Sequence, residues 1–390
     1  MTCVLVAFLA LAPPLSEQQT TLLARIKAAG PHNGYGDYCR AAMLMEGDRA
    51  AIGTKANVDK SFALVEKGNA KPVSFPEFPL HTWTLLPEFA RLKQLLKLEA
   101  PTIESEFDHG STDRAWKSVE QELILSQKIA CKGTTGEIPV LVGITYEHIA
   151  CESVARHVDN LTPPAAEALS KWADSALRHK PYLRAGIRSD VQEVHGDYQL
   201  ALADPAMAKR EFLPPSDSFT PGMIDAAKKA PASWRKLADR EIMDLILAPQ
   251  TAMIARLSEP ESSWLTPVPT PKTDGAAAGV KLGKSVSLGF AFYALKLSAV
   301  FQALNAMPEG MPTSVWPAAE QRIRERILRL TCQVALYRFK HGHLPTTLAQ
   351  AVGMNPTDPA THTHYAYTKS GKTFTIQLNV PGHGTIGLQR

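Results

Sequence analysis

The sequence of 390 residues lacks a surplus of charge: 42 Lys and Arg stand against 38 Asp and Glu, a net charge of +4. No dense basic run accompanies this small surplus, which excludes the electrostatic character of a nucleic-acid-binding protein. Long hydrophobic runs are also missing, since the leading one, Val4 to Ala12, is too short to span a bilayer. With 45% hydrophobic and 21% charged residues, the composition excludes a wholly disordered chain and a multi-span membrane protein.

Cysteine is scarce, and the 5 cysteines form no Cys-x-x-Cys pair. This spacing argues against a zinc knuckle and against a thioredoxin-like site. Cys151 and Cys332 fall within apolar helical patterns, which predicts buried free thiols there. Export would allow one disulfide among Cys39, Cys131, Cys151 and Cys332, but the spacing does not select the pair.

Common catalytic motifs are also missing. The chain has no Gly-x-Ser-x-Gly elbow, which leaves serine hydrolase chemistry without local support. His148 and His157 are too far apart for the His-Glu-x-x-His motif of a zinc protease. The glycine-rich segment Gly279 to Ser285 has three residues between its glycines where a phosphate-binding loop needs four, and a connector precedes it instead of a strand.

Residues 1–15 have the character of a leader or of an anchor remnant. Ala10-Leu11-Ala12 fits a small-x-small cleavage pattern, although no Lys or Arg precedes the apolar run and Pro13 follows it. We therefore expect an exported or membrane-tethered protein of the periplasm or cell envelope. The alternative is a cytoplasmic chain with an N-terminal helix packed on the body.

Most of the remaining sequence has apolar residues at helical spacing, clearest in 85–100, 112–128 and 318–340. Short Pro- and Gly-containing breaks separate these segments, and no fixed repeat period is present. The pattern predicts a mainly α protein of irregular stacked αα-hairpins. The expected divisions are a helical body (16–258), a Pro/Gly-rich linker (259–285), two long helices (286–344) and a C-terminal cap (345–390).

The pattern changes from helical to alternating in the C-terminal cap. Tyr365 to Tyr367 and Phe374 to Leu378 alternate apolar and polar residues on either side of Lys369 to Lys372. Such alternation around a glycine-containing connection predicts a β-hairpin. We therefore expect a small α+β cap in which a short helix, Leu348 to Val352, precedes the hairpin.

The same tail resembles that of bacterial type II secretion pseudopilins. The matching residues are Ala335-Leu336, Tyr337, Gly342, Pro345 and Leu348, followed by Asp358-Pro359. The resemblance implies a long helix that ends at the glycine, then a short helix and a small sheet. It covers roughly the last 60 residues, and the pseudopilin start, a processed site leading a hydrophobic helix, has no counterpart here.

The chain as a whole is similar to uncharacterised, exported or membrane-tethered bacterial helical proteins. The residues that carry this resemblance are the entry Asn33 to Tyr38, the apolar helix Leu85 to Leu98 and the segment Leu141 to Ile149. It brings no established activity with it.

A polar cluster in the body is the first candidate for chemistry. Asp190, Glu193 and Asp197 are spaced i, i+3, i+7 and share one helix face, with His195 beside them. Carboxylates and an imidazole could form a general acid/base site or bind a cation. Such a stripe is more often solvated or paired with arginines of a neighbouring helix.

Histidines of the tail are the second candidate. His341, His343, His362 and His364, with His383 further on, could ligate zinc or nickel through neutral imidazoles. The alternative is a set of solvated loop residues, because the first two flank the glycine that ends a helix. We therefore expect no resident metal and no cofactor.

These observations favour a non-enzymatic envelope protein that acts as a helical interaction or scaffold protein. Grooves between stacked helices would bind a protein partner, which the sequence does not identify. One alternative is a hydrolase-type enzyme with its site near Asp190, Glu193 and His195. A second alternative is a secretion-system accessory that uses only the tail.

Overall fold

A computed structural model describes residues 16–46, 52–75, 86–132, 137–179, 183–211, 219–266, 268, 275–305 and 315–388. The described chain forms 15 α-helices followed by a small three-stranded antiparallel sheet, and 73% of it is helical. The predicted fold class, mainly α with a small C-terminal α+β cap, is confirmed. The predicted leader, 1–15, lies outside the described residues.

Successive helices alternate with short connections, as the apolar periodicity predicts. The helices are α1 (Glu17–Ala29), α2 (Gly34–Leu44), α3 (Lys55–Asn69), α4 (Pro87–Asp108), α5 (Thr112–Lys132), α6 (Glu137–Arg156), α7 (Pro163–Arg178), α8 (Leu183–Ala203), α9 (Pro205–Glu211), α10 (Pro221–Lys228), α11 (Ala232–Arg256), α12 (Gly275–Gly283), α13 (Leu288–Asn305), α14 (Trp316–His341) and α15 (Leu348–Val352). The strands are β1 (Ala366–Ser370), β2 (Thr373–Val380) and β3 (Gly384–Ile386).

The aromatic entry segment, Asn33 to Tyr38, builds the junction between α2 and α3. The side chain of Asn33 caps α2 by accepting a hydrogen bond from the Tyr35 amide. A Cβ added to Gly34 would lie 2.3 Å from the carbonyl oxygen of Gly68, so the two helices approach backbone to backbone. Tyr38 then donates a hydrogen bond of 2.7 Å to Asn69 at the end of α3. The motif is therefore explained by helix packing.

Helix α4 runs eight residues beyond the predicted end at Ala100, straight through Pro101. A proline inside a helix costs about 3 kcal/mol because it removes a hydrogen bond and crowds the preceding turn. The apolar stripe continues past it, however, and both Ile103 and Phe107 are buried. Burial of two such side chains contributes about 3–6 kcal/mol, enough to offset the proline. Pro249 lies within α11 in the same way.

The buried apolar residues form four clusters that follow one another along the stack. The first joins α1 to α6, and the second joins α4 to α7 with α14 and the sheet. The third joins α8 to α13, and a smaller one connects α6, α8, α11 and the start of α14. Helix α14 packs mainly against α7, far away in sequence, whereas α13 packs against α10 and α11. The two long helices of 286–344 therefore belong to different clusters.

Part of the segment expected to be a linker, 259–285, is regular structure. It contains a 3₁₀ turn, Glu261–Ser263, and helix α12. Trp264 is buried beside the turn, and its indole nitrogen donates to the carbonyl of Glu259 at 3.2 Å. The described parts of the segment, 259–266 and 275–285, thus pack on the body.

The cap contains one strand more than the predicted hairpin. Strand β2 alternates exposed and buried residues, and its buried side chains join the second cluster beneath α14. Gly342 ends α14 in the left-handed conformation, with φ of 75°, at the glycine where the sequence places the end of the helix. The additional strand, β3, has only three residues, which is too short for an alternation to be recognised in sequence.

Candidate functional site

The predicted cluster on α8 divides into two groups. Burial and the negative charges of Asp190 and Asp197 raise the pKa of Glu193 to about 7, which places these three carboxylates close together. His195 lies two positions from Glu193, roughly 200° further around the helix. The structure therefore brings the carboxylates together on one face and directs His195 elsewhere.

His195 instead joins a residue that the sequence analysis did not select, Asp239 of α11. The Nε2 atom of His195 lies 2.9 and 3.1 Å from the two carboxylate oxygens of Asp239. Gln199 contacts both residues at 3.0 Å. The His195 side chain is 41% exposed, so the group lies at the surface of the α8–α11 pair. A carboxylate in this position fixes the orientation of the imidazole.

The tail histidines do not form one group: the rings of His341 and His343 lie 6.2 Å apart, whereas His364 and His383 have other neighbours. His341 stacks on Tyr337 with ring centres 4.1 Å apart, and His343 bonds through Nδ1 to the Leu344 carbonyl at 3.0 Å. His364 contacts Thr357 in the turn before β1, where His362 has a φ of 57°. His383 stacks on Trp316. Within the described ranges, no three His, Cys, Asp or Glu side chains are grouped to hold one metal ion.

The cysteines that the structure describes with their side chains are free thiols. Cys39, Cys151 and Cys332 are each buried, as expected for the last two. Burial raises the pKa of Cys39, Cys151 and Cys332, so each thiol stays protonated and unreactive.

Two buried carboxyl groups between α4 and α5 were not anticipated. Glu99 and Glu122 are 5% and 0% exposed. Burial and the charges of Asp59 and Glu106 raise the pKa of Glu99 to about 7. Burial, together with Glu99, raises the pKa of Glu122 well above its ordinary value. Both positions fall on the apolar stripes of their helices. A glutamate at an otherwise apolar position was the sequence signal that could have predicted a buried carboxyl group.

A surface cleft of about 410 Å³ lies near this pair. Glu106, Lys55 and Arg114, which act electrostatically on Glu99, are among its lining residues. Glu99 and Glu122 themselves are not. The two carboxyl groups are thus buried behind the cleft's lining, where their burial bears on the stability of the helical body.

A second group of buried polar and charged side chains connects α6 and α7 to α14. Gln321 donates to Glu147 at 2.8 Å, and Arg322 donates to Glu325 at 2.8 Å and to the Ala176 carbonyl at 2.7 Å. Burial and the charge of Glu325 raise the pKa of Glu147 well above its ordinary value. The shift favours the neutral form of Glu147, and Gln321 holds one of its two oxygens.

Two further arginines of α14 bind the cap. Arg324 donates to the Gly387 carbonyl at 2.7 Å, and Arg326 donates to Asp358 at 3.0 Å. Tyr365 also donates to Asp358, at 2.7 Å. The aspartate of the Asp358-Pro359 segment therefore links the cap to the long helix.

The hairpin of α12 and α13 carries exposed apolar side chains, and we call it the apolar hairpin (residues 275–305). Gly279 lets the two helices approach, since a Cβ there would lie 2.9 Å from Leu295. Phe290, Tyr293 and Leu297 on the inner face are fully buried in the third cluster. On the outer face, Val280, Leu288 and Phe292 are 57%, 68% and 52% exposed. In the sequence, the segment 286–305 has apolar residues on most faces of its helix, and this pattern could have indicated the exposed surface.

The described helices include none that is long and apolar enough to cross a membrane. Comparison of the chain with protein-family models, with curated proteins and with solved structures found no match.

Proposed function

We propose that the protein is a non-enzymatic helical scaffold of the bacterial cell envelope, which acts through its contact surfaces. The observation that carries this proposal is the apolar hairpin: large apolar side chains are exposed along one side of a body whose inner face there is well packed. Contiguous exposed apolar surface is typical of interaction sites. The charged side chains of α14 support the same proposal. Arg322 pairs with Glu325 on the body side, and Arg326 binds Asp358 of the cap.

The envelope location rests on the leader-like run at Val4 to Ala12. We expect the full chain, expressed from its natural gene with the upstream region, to fractionate with the envelope of a bacterial host. A variant without residues 1–15 separates the contribution of this run from that of the rest of the chain. Recovery of the full chain in the cytosol, beside a cytosolic marker enzyme, would overturn the proposal.

A hydrolase is the second candidate, and the observation that favours it is the orientation of His195 by Asp239. An oriented imidazole is the usual general base of acyl transfer. A hydrolase at this site predicts that p-nitrophenyl acetate is cleaved faster than by free imidazole. It also predicts that both His195→Ala and Asp239→Asn lose this activity, while His179→Ala, at the exposed residue after α7, keeps it. Equal rates in all four proteins would exclude the hydrolase.

A further inference from the structure

The outer side of α13 is a continuous apolar line. Leu288, Phe292, Leu295 and Ala299 follow one another at i, i+4, i+7 and i+11, which places them within about 60° of one another around the helix. Leu295 is half-buried against α12, and the other three are exposed. Helix α12 adds Val280 and two exposed alanines, Ala276 and Ala277. The described apolar line therefore extends over residues 288–299, the first two-thirds of α13.

The charges of the apolar hairpin all have one sign. From residue 275 to residue 308 the sequence contains no Asp or Glu, but it contains Lys281, Lys284 and Lys296. Lys281 is 72% exposed and lies 3.6 Å from Glu241 of α11. Lys284 is exposed at the turn between the helices, and Lys296 lies over the ring of Phe219. The result is an apolar strip with a basic border.

We propose that the apolar hairpin docks on the surface of an anionic lipid bilayer, with α12 and α13 lying in the plane of the interface. This inference rests on the envelope location proposed above and adds the ligand of the contact surface. Leu288, Phe292 and Val280 would enter the boundary between headgroups and acyl chains, and the three lysines would contact anionic headgroups. Apolar residues on one side and lysines beside them are the composition of helices that bind membrane surfaces.

The charge pattern favours a bilayer over a second copy of this chain. Two copies packed through this strip would bring borders of lysines together. The hairpin itself has no acidic residue, and the neighbouring Glu241 of α11 already pairs with Lys281. Phosphate headgroups supply the missing negative charge. The inner face stays in the third cluster, so docking requires no unfolding of the hairpin.

The test is co-sedimentation of the full chain with vesicles. We expect binding to vesicles of phosphatidylglycerol and phosphatidylcholine, weaker binding to phosphatidylcholine alone, and a decrease with added salt. Phe292→Ser should reduce the partition coefficient by about tenfold, since it removes a large side chain from the apolar region. The double variant Lys281→Gln, Lys284→Gln should reduce it by a similar factor, about tenfold, for the charged vesicles.

Matched controls come from the cap. Met354 is 71% exposed and Lys372 is also exposed, so Met354→Ser and Lys372→Gln make the same kinds of change outside the apolar hairpin. Both should bind like the unchanged protein, and circular dichroism verifies the helical content of every variant. Binding that Phe292→Ser leaves unchanged would overturn the inference. A dimer in sedimentation equilibrium that Phe292→Ser dissociates, without vesicle binding, would overturn it in favour of self-association.

The two proposals fail in different ways. Envelope fractionation of the chain without vesicle binding would contradict the bilayer contact and leave the scaffold proposal standing. Cytosolic recovery would contradict the envelope location, and with it the biological setting of the contact.

Discussion

Replacing Glu88 with alanine is expected to lower the free energy of unfolding by about 3–5 kcal/mol. Glu88 is fully buried at the start of α4, where its carboxylate forms an ion pair with the buried guanidinium of Arg25 from α1. Tyr35 of α2 donates to the same carboxylate oxygen at 2.7 Å. The substitution removes the counter-charge of a buried cation and the acceptor of a buried hydroxyl. Urea unfolding followed by circular dichroism measures the loss.

An exposed ion pair supplies the control for this prediction. Lys117 and Glu66 approach to 3.5 Å with side chains 65% and 37% exposed. Lys117→Ala should change the free energy of unfolding by less than about 1 kcal/mol, because solvent screens such a pair. The double variant Arg25→Met, Glu88→Leu should recover much of the loss, since neither buried charge remains. A Glu88→Ala protein no less stable than Lys117→Ala would contradict the structural role of the pair.

Replacing Glu99 with glutamine is expected to stabilise the protein at pH 8 and to have little effect at pH 4. Above its ordinary pKa of 4.5 the carboxyl ionises in the unfolded chain, while the folded protein keeps the proton until about pH 7. The unfolded state then binds fewer protons, so stability falls as the pH rises through this window. The difference corresponds to about 3 kcal/mol, which the neutral amide of Glu99→Gln avoids.

Urea unfolding at pH 4, 6 and 8 measures this effect. Glu122→Gln should act in the same direction, because burial also raises the pKa of Glu122. Glu120→Gln on the same helix, at a partly exposed position, should leave the pH dependence of stability as it is. A gain for Glu99→Gln that is equal at pH 4 and pH 8 would show that packing, and not protonation, causes it.

The helices could be predicted because each buries one apolar stripe. The predicted helical segment 112–128 lies within α5, and the segment 318–340 lies within two residues of α14 at either end. The predicted end of α4, at Ala100, was wrong because the burial of Ile103 and Phe107 outweighs the local effect of Pro101. That balance depends on tertiary packing, which a local pattern does not contain.

The polar centres were harder to predict for a similar reason. The spacing places Asp190 and Glu193 on one face of α8, where the charge of Asp190 acts on Glu193. The partner of His195, Asp239, is 44 residues away, and only the packing of α8 on α11 brings them together. Buried charges such as Glu122 and Arg322 were overlooked because charged residues on a helix are usually solvated.

The pairing of α7 with α14 has a consequence for biosynthesis. About 140 residues lie between the end of α7 and the start of α14. The strands that pack on α14 follow later in the chain. The apolar surface that α5, α6 and α7 share with α14 therefore has no cover until α14 has been synthesised. Native packing of that region must therefore wait for α14 and the strands, so it cannot be completed in the order of synthesis.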